Sequence, residues 1–128
     1  MSFILDTNIA IHLRDRDLEI AAKIDELQAP LALSVVSRVE LEAGVYTDRA
    51  KAEVRRRRLD IMLQSIAVLP FDDAAAVAYG KILAAAGFSR RKTFDRMIAA
   101  QALVHRATLV TRNGDDFRDV PGLAMLEW

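Results

Sequence analysis

Short apolar runs alternate with amphipathic segments along the whole chain. The runs are Phe3 to Leu5, Leu31 to Leu33, Ile66 to Leu69, Leu109 to Val110 within Ala107 to Thr111, and a weaker Leu123 to Leu126. Continuous rather than alternating hydrophobicity suits strands buried on both faces. Helical periodicity fills the intervals. Ile20, Ile24 and Leu27 share a face; Val54, Ile61 and Met62 share one more loosely; Val77, Ile82 and Leu83 make another with their Ala neighbours. Phe94, Met97, Ile98, Ala102 and His105 continue the pattern, and Val35 to Val45 reads as a helix with Ser34 or Ser37 as its N-cap. Alternating βα of this kind predicts an α/β domain. Its parallel sheet has about five strands and is flanked by helices on both faces, because parallel strands need right-handed crossovers.

At 128 residues the chain is expected to form one domain that buries roughly two thirds of its unfolded surface without staples. The absence of Cys excludes thiolate nucleophiles and Cys-based zinc sites, and two His are too few for a three-His zinc centre. The longest apolar stretch, Ala74 to Phe88, is interrupted by Lys81 and falls short of the roughly 20 residues that span a bilayer. No basic region precedes an apolar one at the N-terminus. These features predict a cytoplasmic protein without membrane association. Basic and acidic residues balance at 18 each, so net charge points neither toward nor away from nucleic acid.

The acids are more informative than their sum. Asp6 ends the first strand in Leu5-Asp6-Thr7-Asn8, at the carboxyl edge where open α/β sheets bind ligands; Thr7 or Asn8 can cap the helix that follows. Glu40 lies early in the helix after the second strand. Its neighbours Val39 and Ala43 are apolar or small, which favours Glu40 as the inward acid, with Glu42 turned about 200° away by the helical step. Asp95 opens the helix that runs to His105, followed at i+4 and i+7 by Ala99 and Ala102, small residues that let the helix approach the sheet. Asp115 or Asp116, in the turn after the strand that ends at Thr111, supplies a fourth carboxylate. Each acid also has a purely structural reading, as a cap, a solvated helix residue or a turn former. Clustered, they would repel by about 4 kcal/mol per close pair at an effective dielectric near 20. A hard divalent cation such as Mg²⁺ or Mn²⁺ offsets that repulsion, binds carboxylate oxygen, and can activate water toward a phosphodiester.

At these residues the chain resembles PIN-domain toxins of the VapC type. The resemblance runs nearly end to end. It rests on Leu5-Asp6-Thr7-Asn8, Glu40-Leu41 with Gly44, Asp95-Arg96-Met97-Ile98-Ala99-Ala100, Leu109-Val110-Thr111-Arg112-Asn113 ahead of Asp116-Phe117, and the ending Val120-Pro121-Gly122-Leu123 to Glu127-Trp128. It implies a single PIN-like nuclease domain over residues 1–128 and a Mg²⁺- or Mn²⁺-dependent endoribonuclease that inhibits translation and growth, with transfer RNA as one target class. It implies a VapB-like antitoxin partner, a homodimer and a toxin–antitoxin hetero-oligomer. By the same analogy Asp6, Glu40 and Asp95 are the metal-binding, catalytic acids. Many family members carry an acid at the place of Asn113; here that place is an amide, which passes the fourth role to Asp116. Thr7, Asn8, Thr111 and Asn113 are candidates for hydrogen bonds that aim the carboxylates.

Arg90, Arg91 and Lys92 stand just before the helix that carries Asp95. Cations there oppose the helix dipole, and a phosphate backbone beside the acids would give them a purpose, so they are the candidate RNA-binding residues. The run Arg55 to Arg58 covers most of a helix circumference and reads as solvated surface. Two other classes share the scaffold: a receiver-like signalling domain, which would need an adjacent acid pair after the first strand, and a catalytically idle acid-pocket binding module.

Overall fold

Five parallel strands form one sheet, and a strand-order reversal at its centre creates the crevice that matters here. The computed structural model describes residues 1–128. Strands β1 (Phe3–Leu5), β2 (Leu31–Ser34), β3 (Ala67–Leu69), β4 (Thr108–Thr111) and β5 (Met125–Glu127) lie in the order β3-β2-β1-β4-β5, every neighbouring pair parallel. The chain steps outward from β1 to β2 to β3, then returns to the other side of β1 to lay down β4 and β5. The reversal falls between β1 and β4, and such a switch point leaves a cleft at the strands' carboxyl ends. A receiver-like domain has the order 2-1-3-4-5, so that alternative fails on topology.

Six helices cover the two faces as the alternation predicts: α1 (Thr7–Arg14), α2 (Leu18–Leu27), α3 (Val35–Tyr46), α4 (Ala52–Met62), α5 (Asp73–Ala86) and α6 (Thr93–His105). Side chains alternate across the three-residue β1, so Phe3 and Leu5 enter one core and Ile4 the other. The first core joins them to Ile9, Ile20, Ile24, Leu41, Val45, Leu59 and Met62 from α1 to α4. The second packs Ile4 and Leu109 against Ile82 of α5 and Ile98, Ala99 and Ala102 of α6. No helix is long and apolar enough to cross a membrane.

Several expected faces are displaced. In α4 Leu59 joins Met62 inside, while Val54 and Ile61 are exposed. In α5 Ala75 and Ile82 face inward and Val77 does not. Phe94 and His105, at the two ends of α6, are also exposed. Small residues explain the middle case, because an Ala-rich helix offers little contrast between its sides and α5 seats itself by contact with α6. Helix starts differ as well. Asp6 caps α1, accepting from the Thr7 backbone, so Thr7 is the first helical residue rather than a cap. Ser34 caps α3 through the Val36 backbone N–H at 3.0 Å.

Candidate active site

Four chain segments bring a carboxylate to the carboxyl end of the sheet. Asp6 is 4 % exposed because it terminates β1 between two neighbouring strands, its backbone N–H still donating to the Val110 carbonyl at 2.9 Å. Both of its carboxylate oxygens are held: Oδ1 accepts from the Thr7 backbone and Oδ2 from the Thr111 hydroxyl, each at 2.8 Å. Burial raises its pKa and Asp116's charge adds to the rise, while these two hydrogen bonds oppose it.

Glu40 reaches the same crevice from α3. The Thr7 hydroxyl donates to Glu40 Oε1 at 2.9 Å and lies 2.8 Å from the Ser37 hydroxyl. Thr7 has one hydroxyl proton, so Ser37 is the donor to Thr7 and the relay runs Ser37 to Thr7 to Glu40. Burial raises the Glu40 pKa, with Asp6's charge adding to the rise. Glu42 points away into an ion-pair group with Arg38 and Arg56, and those partners hold its carboxyl below the ordinary glutamate value. The expected choice between the two acids therefore holds, but not for the expected reason: Val39 is 61 % exposed and Ala43 is exposed too. Val36, Ser37 and Leu41 form the buried side that directs Glu40 inward.

Asp95 occupies the first turn of α6, whose Ala99 and Ala102 are buried and permit the expected close approach. Its pKa rises to about 6, first from burial and then from the charges of Asp6, Asp116 and Glu40, against a smaller opposing effect of Arg91. Asp116, in the short 3-10 turn Gly114–Asp116 after β4, is the fourth acid, since its charge acts on both Asp6 and Asp95. Asp115 is 93 % exposed and pairs with Arg118 at 2.9 Å, which leaves Asp116 as the inward member of that pair.

The supporting residues divide. Thr7 and Thr111 aim carboxylates; the buried Thr111 hydroxyl also accepts from the Asn113 backbone at 3.0 Å. Asn8 and Asn113 are exposed, and Asn113 contributes through its backbone rather than its amide. Ser37 joins the relay unannounced, since a small polar residue three before an inward Glu looks in sequence like a helix cap. Arg91 lies 3.5 Å from Asp116. Lys92 instead pairs with Asp119 at 3.3 Å, and Arg90 is exposed beside it.

No three His, Cys, Asp or Glu side chains are closed into ready-made metal-ligand geometry. A hard cation that keeps several waters and takes one or two carboxylates requires no such cage. The donor set fits one: it is all carboxylate oxygen, and burial, with mutual repulsion added, raises the pKa of three of the four acids.

A family model described as the PIN domain matches residues 3–123. This chain belongs to the PIN domain family. Among characterised PIN-domain relatives, it is 30 % identical to ribonuclease VapC2 of Rickettsia felis over 138 aligned positions, spanning all of this chain and 98 % of that one. It is 31 % identical over 134 positions to the tRNA(fMet)-specific endonuclease VapC of Shigella flexneri, with the same coverage. The PIN fold superposes on the VapBC2 complex of Rickettsia felis, solved bound to a fragment of promoter DNA, with a TM-score of 0.87 and 27 % identity over all of this chain and 99 % of that one.

Proposed function

We propose that this PIN domain is the endoribonuclease toxin of a toxin–antitoxin pair, acting in the cytoplasm on RNA with Mg²⁺ or Mn²⁺ held by Asp6, Glu40, Asp95 and Asp116. One observation carries the reading: four carboxylates from separate segments face one crevice at the sheet's switch point, two of them aimed by buried Thr hydroxyls. Relatives named as ribonucleases, one of them specific for tRNA(fMet), support RNA as substrate and transfer RNA as its class. Solved complexes of the VapBC type support a VapB-like antitoxin as partner, and the reading includes a homodimer of this chain within the hetero-oligomer.

When bound, the cation supplies positive charge to the phosphodiester and a water of lowered pKa for in-line attack on phosphorus. The residues do the rest. Thr111 and the Thr7 backbone fix Asp6, and the Ser37–Thr7 relay fixes Glu40, so that neither carboxylate swings when the cation arrives. Hydrolysis of this polarity would join the water oxygen to phosphorus, break the bond to O3′ and pass a proton from the water to O3′, leaving a 5′-phosphate and a 3′-hydroxyl. Arg91 and Arg90 contact the RNA backbone, Arg91 exchanging Asp116 for a phosphate oxygen. Lys92 acts chiefly by holding the loop through Asp119.

The test is cleavage of total RNA by protein freed of antitoxin. Discrete cutting that requires Mg²⁺ or Mn²⁺, stops with EDTA and is absent in Asp6→Asn and Asp95→Asn supports the reading. A folded wild-type protein that binds neither cation and cuts nothing favours the idle binding module.

A further inference from the structure

The turn that carries Asp116 is flanked by the buried Gly114 and by Phe117 in the second core, and a further anchor for it comes from the last strand. Glu127, at the end of β5, sends its carboxylate back over the turn: Oε2 accepts from the Gly114 backbone N–H at 2.8 Å and Oε1 from Arg118 at 3.0 Å. Arg118 in turn pairs with Asp115. Thr111 and Glu127 are register partners across β4 and β5, so the carboxylate leaves a fixed strand position. Gly114 is buried, and a Cβ there would stand 2.3 Å from Glu127 Oε2. A larger residue at this position would displace the ends of the Glu127 and Arg118 side chains from this arrangement. Glycine and acid form one device, and Asp116 lies two residues beyond it.

We propose that Glu127 is a positioning residue of the metal site: by gripping Gly114 and Arg118 it sets where the Asp116 carboxylate stands relative to Asp6 and Asp95. This rests on the metal-dependent reading above. Glu127 is exposed at the outer strand and touches neither acid, so its effect on the cation passes through the turn. A charge-assisted bond to a backbone N–H and to a guanidinium is strong enough to select one turn geometry. Outer partners of metal ligands typically change metal affinity 10- to 100-fold.

The experiment is a double-mutant cycle read by Mn²⁺ affinity, using calorimetry or electron paramagnetic resonance, on wild type, Glu127→Ala, Asp116→Asn and the double variant. Glu127→Ala is expected to weaken Mn²⁺ about tenfold and to change the affinity by less than about twofold once Asp116 is already Asn. Glu127→Gln keeps an oxygen acceptor for Gly114 and is expected to restore most of the affinity. Should Glu127→Ala fail to fold, Arg118→Gln removes the other half of the grip from an exposed position, and the same non-additive loss is expected. Unchanged affinity in these variants, or losses that multiply with that of Asp116→Asn, overturns the proposal while leaving the metal site standing. A wild type that binds no Mn²⁺ overturns the site and the proposal together.

Discussion

Thr111 donates its hydroxyl to Asp6 Oδ2 at 2.8 Å across the seam where β4 lies beside β1. The two residues are 105 positions apart in the chain, and this bond joins the first strand end to the fourth at the switch point of the sheet. It is also buried, so its loss leaves Asp6 Oδ2 without its donor while Oδ1 keeps the Thr7 backbone N–H. Thr111→Val, which preserves shape, is expected to cost about 1.5–3 kcal/mol. The penalty is larger at pH 8 than in acid, because the missing bond supports the ionised form of Asp6. Urea unfolding in EDTA measures it; a cost below about 0.5 kcal/mol at pH 8 would contradict this role.

Asp95 is held in the fold at a cost. Its pKa in the folded protein, about 6, lies above the ordinary 3.8. A carboxyl raised in this way favours the fold below its unfolded pKa, and that advantage is lost as pH rises through about 6. Asp95→Asn does not titrate, so without metal it is expected to be more stable than wild type at pH 7.5, by on the order of 1 kcal/mol after allowing for solvent screening. The difference should vanish below about pH 4. Paired denaturation curves at the two pH values in EDTA decide it, and equal stability at pH 7.5 would show that the acids do not strain the fold.

The same repulsion sets the pH dependence of cation binding. Protons and Mn²⁺ compete for the crevice, and Asp95 is half protonated near pH 6. Mn²⁺ affinity is therefore expected to fall as pH drops from 7.5 to 5, with proton release on binding near pH 6. Titration calorimetry in two buffers of different ionisation enthalpy reads the released protons. Binding heats that are the same in both buffers would count against Asp95 as a ligand.

Glu40 and Glu42 provide an internal control on one helix. Glu40→Gln is expected to lower RNA cleavage by at least the 10- to 100-fold seen when even an outer partner of a metal is lost. Glu42→Gln removes partners of Arg38 and Arg56 on a partly solvated face, so it should leave cleavage within about twofold and stability within about 1 kcal/mol. Equal losses in both variants would show that α3 does not distinguish an inward acid from an outward one.

The central strands were legible in the sequence because buried strands write themselves as short apolar runs, whereas the edge strand expected over Leu123 to Leu126 falls at Met125–Glu127 and is not buried. Phe3–Leu5 is read to the residue, and α3 begins at Val35 as expected. Asp6 and Asp116 follow such runs closely, whereas Glu40 and Asp95 lie in the early turns of α3 and α6. Helix faces were less so. Leu59 sits beside four arginines, and the contacts that bury it come from other helices, so periodicity within α4 could not choose between it and Ile61. Glu40 faces the crevice although Val39 and Ala43 are solvent-facing. What directs it, Ser37 through Thr7, is a contact between residues 30 positions apart that no local pattern encodes. The residues alone left Asp115 and Asp116 open and the family resemblance pointed to Asp116; in the structure Arg118 draws Asp115 outward.

The most direct measurement is the chemistry of the cut ends. Wild type incubated with RNA in Mn²⁺ or Mg²⁺ is expected to leave 5′-phosphate and 3′-hydroxyl termini, identified by end-selective ligation and sequencing, and to leave none in EDTA or with Asp6→Asn. Termini bearing 2′,3′-cyclic phosphate, or cutting that persists in EDTA, would mean that the RNA's own 2′-hydroxyl is the nucleophile and that the four carboxylates do not carry the reaction.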